Sequence, residues 1–125
     1  MILLLDAHVV VWWAQGGEPL AEPVRRSIAD PVNDVVVSAA SVWELSIKQE
    51  LGKIRFEVDL AETIERAGFS ALPITIADAV AAGALPRHHR DPFDRMLIAQ
   101  ALRLDAILVS RDRAFAAYGV HQLVA

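Results

Sequence analysis

Short apolar runs alternating with amphipathic stretches predict an α/β fold: a central parallel β-sheet flanked by α-helices. Three observations carry this expectation. Five apolar runs of strand length recur along the chain, six helical patterns lie between them, and Gly, Pro and Asp punctuate the junctions. Runs that are apolar throughout, rather than alternating, are expected of strands covered on both faces, the condition of a parallel sheet between helices.

The elements follow in order. Ile2 to Leu5 reads as the first strand and His8 to Gln15 as the first helix, ended by Gly16-Gly17. A second helix is predicted from Pro19 to Ala29, broken by Asp30-Pro31, before a strand at Val35-Val36-Val37. Ala39 to Leu51 and Leu60 to Ala67 read as helices closed by Gly52 and Gly68. Ser70 through Ile74 is the third strand, and Thr75-x-x-Asp78 is a capping pattern for a helix from Ile76 to Ala84. Asp91-Pro92 is a strong helix start, with Asp as cap and Pro at the first helical position, for a helix running to Leu104. Ala106 to Val109 and, more weakly, Val120 through Val124 complete the strands. There is no internal repeat, low-complexity tract or linker, and 125 residues fit one domain over 1–125, since a single core needs about 100–150 residues.

Composition narrows the function. Hydrophobic residues make up 54% and charged residues 22%, which excludes a disordered chain. The absence of cysteine removes disulfide scaffolds, zinc–cysteine sites and thiol nucleophiles. A net charge of −4 and a pI near 5.5 argue against purely electrostatic nucleic-acid binding, though not against a nucleic acid handled through metal ions. The apolar start is interrupted by Asp6 and His8 and has no basic residue before it, unlike a secretory signal. No apolar run reaches the roughly 18 residues of a membrane span. A cytoplasmic protein with no membrane association is expected. Three tryptophans and generous apolar content predict a homodimer.

The acids carry the chemical signal. Asp6 directly follows the first strand and Asp112 follows the fourth, and ligands of open α/β sheets bind beyond the carboxyl ends of the strands. Glu44 and Asp94 lie near the starts of helices that open toward the same crevice. Four convergent carboxylates repel one another unless a cation joins them. Hard oxygen donors suit Mg²⁺ or Mn²⁺. The favoured chemistry is phosphodiester hydrolysis, in which the ion positions a water and neutralises the phosphate. Structural readings stand beside this one. Asp6 serves equally as a helix cap, Ser41-x-x-Glu44 matches a capping box, and Asp112 fits an Asx turn that Ser110 supports. For Asp91 the cap is favoured, and for Asp94 the metal.

His88-His89 lies in a loop and reads as solvated, because helical ligand pairs usually stand four residues apart. Trp12, Trp13 and Trp43 are expected to fill core or interface. Arg87, Arg90, Arg95, Arg111 and Arg113 cluster around the acids as candidate phosphate contacts.

The ordered set resembles the PIN-domain ribonucleases, and more closely their bacterial toxins of the VapBC type. Its marks are Leu3-Leu4-Leu5-Asp6-Ala7-His8, Val37 to Glu44, Leu51-Gly52-Lys53, His88 to Ala101, Val109 to Asp112 and Tyr118-Gly119-Val120. The resemblance implies a sandwich around a parallel sheet and an endoribonuclease dependent on Mg²⁺ or Mn²⁺. Asp6, Glu44, Asp94 and Asp112 then match the acidic site, Ser110 a Ser/Thr position beside it and Asp91 a subgroup acid. It also implies homodimerisation, an RNA substrate and a small antitoxin that blocks the cleft. Two other readings are a housekeeping nuclease acting on ribosomal RNA or structured DNA, and a phospho-signalling receiver. A receiver wants an acidic pair after the first strand, an acceptor Asp after the third and a Lys after the fifth, whereas here Ala7-His8 follows Asp6, Thr75 follows the third strand and the only lysines are Lys48 and Lys53.

Overall fold

The computed structural model describes residues 1–125. Its elements are β1 (Ile2–Leu5), α1 (Ala7–Ala14), α2 (Glu22–Ala29), β2 (Asp34–Ser38), α3 (Ala39–Glu50), α4 (Leu60–Ala67), β3 (Ser70–Leu72), α5 (Ile76–Ala84), α6 (Pro92–Leu104), β4 (Ile107–Ser110) and β5 (His121–Val124). The five strands form one sheet in the order β3-β2-β1-β4-β5, and every neighbouring pair is parallel. A flavodoxin- or receiver-type sheet has the order 2-1-3-4-5, so the topology removes the receiver reading.

Period-two alternation explains why the strands are apolar throughout. Leu3, Leu5, Val35, Val37 and Val109 point into one core with Val9 and Val10 of α1, Val24 of α2 and Leu45 of α3. Leu4, Val36 and Leu108 point into the other, against Leu97, Ile98 and Ala101 of α6 and against Phe115. Leu3, Leu4 and Leu5 are all fully buried, as both faces of β1 are covered.

Two local differences from expectation come from proline, and a third is an added turn. The second helix begins at Glu22, not Pro19: a helix begun at Pro19 would place the Pro23 ring against the Pro19 carbonyl. β3 stops at Leu72 because Pro73 has no N–H for the ladder. A 3₁₀ turn at Arg113–Tyr118 was not expected, and it buries Phe115 completely. Trp43, expected in core or interface, is 60% exposed and stands 5.2 Å from the Phe93 ring, centroid to centroid.

The sheet sets the crevice. Strand order reverses at β1, which pairs β2 on one side and β4 on the other. The carboxyl ends of β1 and β4 are therefore adjacent, and such a reversal is where an α/β sheet opens to a ligand.

Candidate active site

One cleft at that reversal is lined by Asp6, Glu44, Asp91, Asp94 and Asp112, with Lys48, Ser110, Arg111 and Trp12. The register puts the first acid there. Leu5 pairs with Val109, so Asp6 and Ser110 occupy the next rung, and the Asp6 N–H donates to the Val109 carbonyl at 3.0 Å. Asp6 holds the N-cap position of α1, but its side chain makes no capping bond. Instead its Oδ2 accepts the Ser110 hydroxyl at 2.5 Å. Ser110 Oγ in turn accepts the Asp112 N–H at 3.0 Å.

Glu44 sits in the second turn of α3. The cap of that helix is Ser38, whose hydroxyl accepts the Ala40 N–H, so the Ser41–Glu44 capping box does not form. Glu44 is 4% exposed. Its Oε2 accepts a 2.6 Å bond from Lys48 Nζ one turn on, while Oε1 is buried without a hydrogen-bond partner. The bond to Glu44, with the field of Asp91 and Asp94 behind it, raises the Lys48 pKa against the opposing effect of burial. The i,i+4 spacing of Glu44 and Lys48 signals this pair in sequence.

Asp91 is the cap of α6: its Oδ1 accepts from the Phe93 and Asp94 N–H groups at 2.8 and 3.2 Å. That leaves the Asp94 side chain free to face the cleft. Burial is the main reason its carboxyl is pushed up to about 7, followed by the negative charges of Asp91 and Asp6. Asp112 does two things. Oδ1 accepts the Ala114 N–H and starts the 3₁₀ turn, while Oδ2 faces His89.

His89 is the residue the sequence concealed. It is no solvated loop side chain: it is mostly buried, with Nε2 3.0 Å from Asp94 Oδ2 and 3.4 Å from Asp112 Oδ2. Ligand atoms of His89, Asp94 and Asp112 all lie within 4.8 Å of one another, whereas Asp6 and Glu44 line the same cleft without joining that tight group. Asp94 is only five positions away, but that spacing carries no signal in a loop, and Asp112 arrives from the turn after β4.

The arginines divide. Arg95 is consumed by the chain itself, donating to the carbonyls of Ala82, Gly83, Leu85, Pro86 and His89. It closes the end of α5, a structural task in place of the phosphate contact expected from sequence. Arg111 is anchored to the Ala125 and Pro19 carbonyls, and its guanidinium lies 4.2 Å from the Trp12 ring centroid. Arg87 and Arg90 line a polar depression beside His89, and Arg113 is exposed.

The sequence pattern of the PIN domain family matches residues 3–120. The chain belongs to the PIN-domain family. This PIN domain is 31% identical over 119 residues to ribonuclease VapC22 of Mycobacterium tuberculosis, covering 89% of this chain and 87% of that protein. Solved structures agree on the fold. VapBC2 of Rickettsia felis, bound to a DNA fragment from its promoter, superposes with a TM-score of 0.72 at 15% identity, over 100% of this chain and 99% of that one. FitAcB of Neisseria gonorrhoeae gives 0.62 at 22% identity, over 97% and 96%. No helix of this PIN domain is long and apolar enough to cross a membrane.

Proposed function

We propose that this PIN domain is a divalent-metal-dependent endoribonuclease and the toxin of a toxin–antitoxin pair, acting in the cytoplasm. The observation that supports it most is the meeting of acids from four separate elements at the carboxyl ends of β1 and β4, in a chain 31% identical to ribonuclease VapC22.

The residues fit a hard cation. Every donor facing the cleft from the four acids is a carboxylate oxygen, and Glu44 Oε1 is a buried oxygen left without a partner. Asp6, Glu44, Asp94 and Asp112 would hold Mg²⁺ or Mn²⁺. Such an ion supplies positive charge at the phosphate and lowers the proton affinity of water.

The remaining residues prepare that site. Ser110 fixes the Asp6 carboxylate by its hydroxyl. Lys48 offsets one of the converging charges and donates to Glu44 Oε2. Asp91 spends its side chain on the helix start and so frees Asp94. Arg87, Arg90 and Arg113 meet phosphates on either side of the cut, which suits an acidic protein that steers RNA locally. The partners are RNA, a second copy of the chain and a small antitoxin protein that covers the cleft.

Cleavage of RNA by the purified protein tests this reading. It is expected only with Mg²⁺ or Mn²⁺, and cleavage that persists in excess chelator defeats it. A light-scattering mass of two chains is expected across the micromolar range.

A further inference from the structure

His89 lies between two acids that arrive from different parts of the fold: Asp94 from the first turn of α6 and Asp112 from the turn after β4. It is the one side chain that contacts both carboxylates. Its own position is fixed from four directions. The His89 N–H donates to Tyr118 Oη at 2.7 Å, and that hydroxyl donates to the Pro86 carbonyl at 2.8 Å. The His89 carbonyl accepts from Arg95 at 3.2 Å. The ring stacks on Phe115, 5.9 Å between centroids and 24° between planes, and Phe115 is fully buried. Finally, Nδ1 accepts the Asp91 N–H at 3.3 Å.

That last bond decides the tautomer. A ring nitrogen that accepts carries no proton, so the proton of the imidazole is on Nε2, the atom facing both carboxylates. An Nε2–H donor is the wrong partner for a metal ion and the right one for two carboxylate oxygens. We infer that His89 is a positioning residue, whose Nε2–H forks between Asp94 Oδ2 and Asp112 Oδ2 and fixes the spacing of the two acids for a cation. This rests on the reading of the cleft as a cation site.

The choice of side chain fits the task. A lysine at this point would join the acids but also cancel the charge that attracts the ion. An uncharged ring donates one hydrogen bond and leaves the negative field intact. Partners of this kind orient the ligands of metal sites, and their removal typically weakens metal affinity about 10–100-fold.

Two measurements test the inference. Long-range ¹H–¹⁵N spectra of the ion-free wild-type protein at pH 8 are expected to show a protonated Nε2 and a bare Nδ1 on His89. The opposite tautomer overturns the inference, and this measurement needs no variant and no metal. The second is Mn²⁺ affinity, read by electron paramagnetic resonance on the full chain for wild type, His89→Gln and His89→Leu. Gln keeps an N–H donor near the Nε2 position, so its affinity is expected within about threefold of wild type, while Leu loses about 10–100-fold. Unchanged binding by His89→Leu overturns the inference. So does equal loss in both variants accompanied by ¹⁴N coupling in the wild-type Mn²⁺ signal, which makes His89 a ligand. If wild type takes up no Mn²⁺, the cation reading of the cleft fails by itself, and the fork is judged on the tautomer alone.

Discussion

Ser110 Oγ stands 2.5 Å from Asp6 Oδ2 although 104 positions separate them in the chain. The contact follows from the parallel register of β1 and β4, which places Leu5 beside Val109 and so brings the next residue of each strand together. Ser110 is fully buried, and its hydroxyl is used twice: it donates to Asp6 and accepts from the Asp112 N–H. One small side chain thereby ties two of the cleft's acids to the same strand end.

Ser110→Ala removes both bonds and leaves the Asp6 carboxylate without its donor. A stability loss of about 1–3 kcal/mol is expected in urea unfolding. Metal affinity is expected to fall about tenfold, because an oriented ligand becomes a mobile one. Ser110→Thr keeps the hydroxyl and is expected to recover most of the metal affinity. Titration of Mn²⁺ into the three proteins checks this.

The acids separate by what their side chains already do. Asp91 accepts two backbone N–H groups; Asp6 accepts none. Asn caps a helix about as well as Asp, so Asp91→Asn is expected to retain much of the RNA cleavage. Asp6→Asn and Asp94→Asn each remove charge that the cation needs. Both are expected to lose cleavage on the order of 1000-fold and to relieve growth inhibition, with far-UV circular dichroism unchanged. Full activity in Asp94→Asn beside complete loss in Asp91→Asn would exchange the two roles.

Legibility in the sequence tracks the range of the interaction that fixes each feature. The Asp91-Pro92 helix start and the Thr75–Asp78 capping box depend on neighbours within four residues, and each is present as expected; β1 is present too, its apolar run being the local mark of a strand whose pairing partners lie far along the chain. Asp6 and Asp112 were placed at strand ends by a rule of sheet topology, and they line one cleft. What the sequence hid is set by distant partners. His89 looked like a loop residue because Phe115, Asp112 and Tyr118 reach it from a 3₁₀ turn more than twenty positions away. Arg95 looked like a cation for phosphate because the five carbonyls that occupy it belong to the end of α5 and the loop after it. The Ser41–Glu44 pattern misled for a local reason: α3 starts at Ala39, so Ser41 is already inside the helix.

Asp78 offers a contrast outside the cleft. Burial would raise its carboxyl, but hydrogen bonds from Arg103, Thr75 and Gln100 outweigh that and hold it at about 2. Arg103 grips it at 2.6 and 3.1 Å and so joins α6 to α5. Because this pKa lies below the unfolded value of about 3.9, the stabilisation is present above that value and is lost as pH falls toward 2. Asp78→Asn is expected to lower the melting temperature by roughly 5–10 °C at pH 7, with a smaller difference from wild type at pH 3. RNA cleavage per folded molecule is expected to stay unchanged, since the residue does not line the cleft.

Asp94 has the opposite sign. Burial and the charges of Asp91 and Asp6 push its carboxyl up to about 7, above the unfolded value of about 3.9. Its contribution to ion-free stability is therefore full below about pH 4 and is lost as pH rises through 7. A cation reverses this, because it favours the charged form that burial disfavours. Binding of Mg²⁺ or Mn²⁺ near pH 7 is then expected to release a proton, and apparent affinity is expected to weaken as pH falls from 8 to 6. In thermal unfolding, the metal-induced rise in melting temperature is expected to be larger at pH 8 than at pH 6. Asp94→Asn has no such proton to exchange, so its metal-free stability is expected to fall less between pH 5 and pH 8 than that of wild type. Proton release measured by calorimetry in two buffers of different ionisation enthalpy gives a direct check. Uptake of metal with no proton released at pH 6.5 would show that Asp94 is already ionised in the folded chain, with its neighbours' charges offset by Lys48.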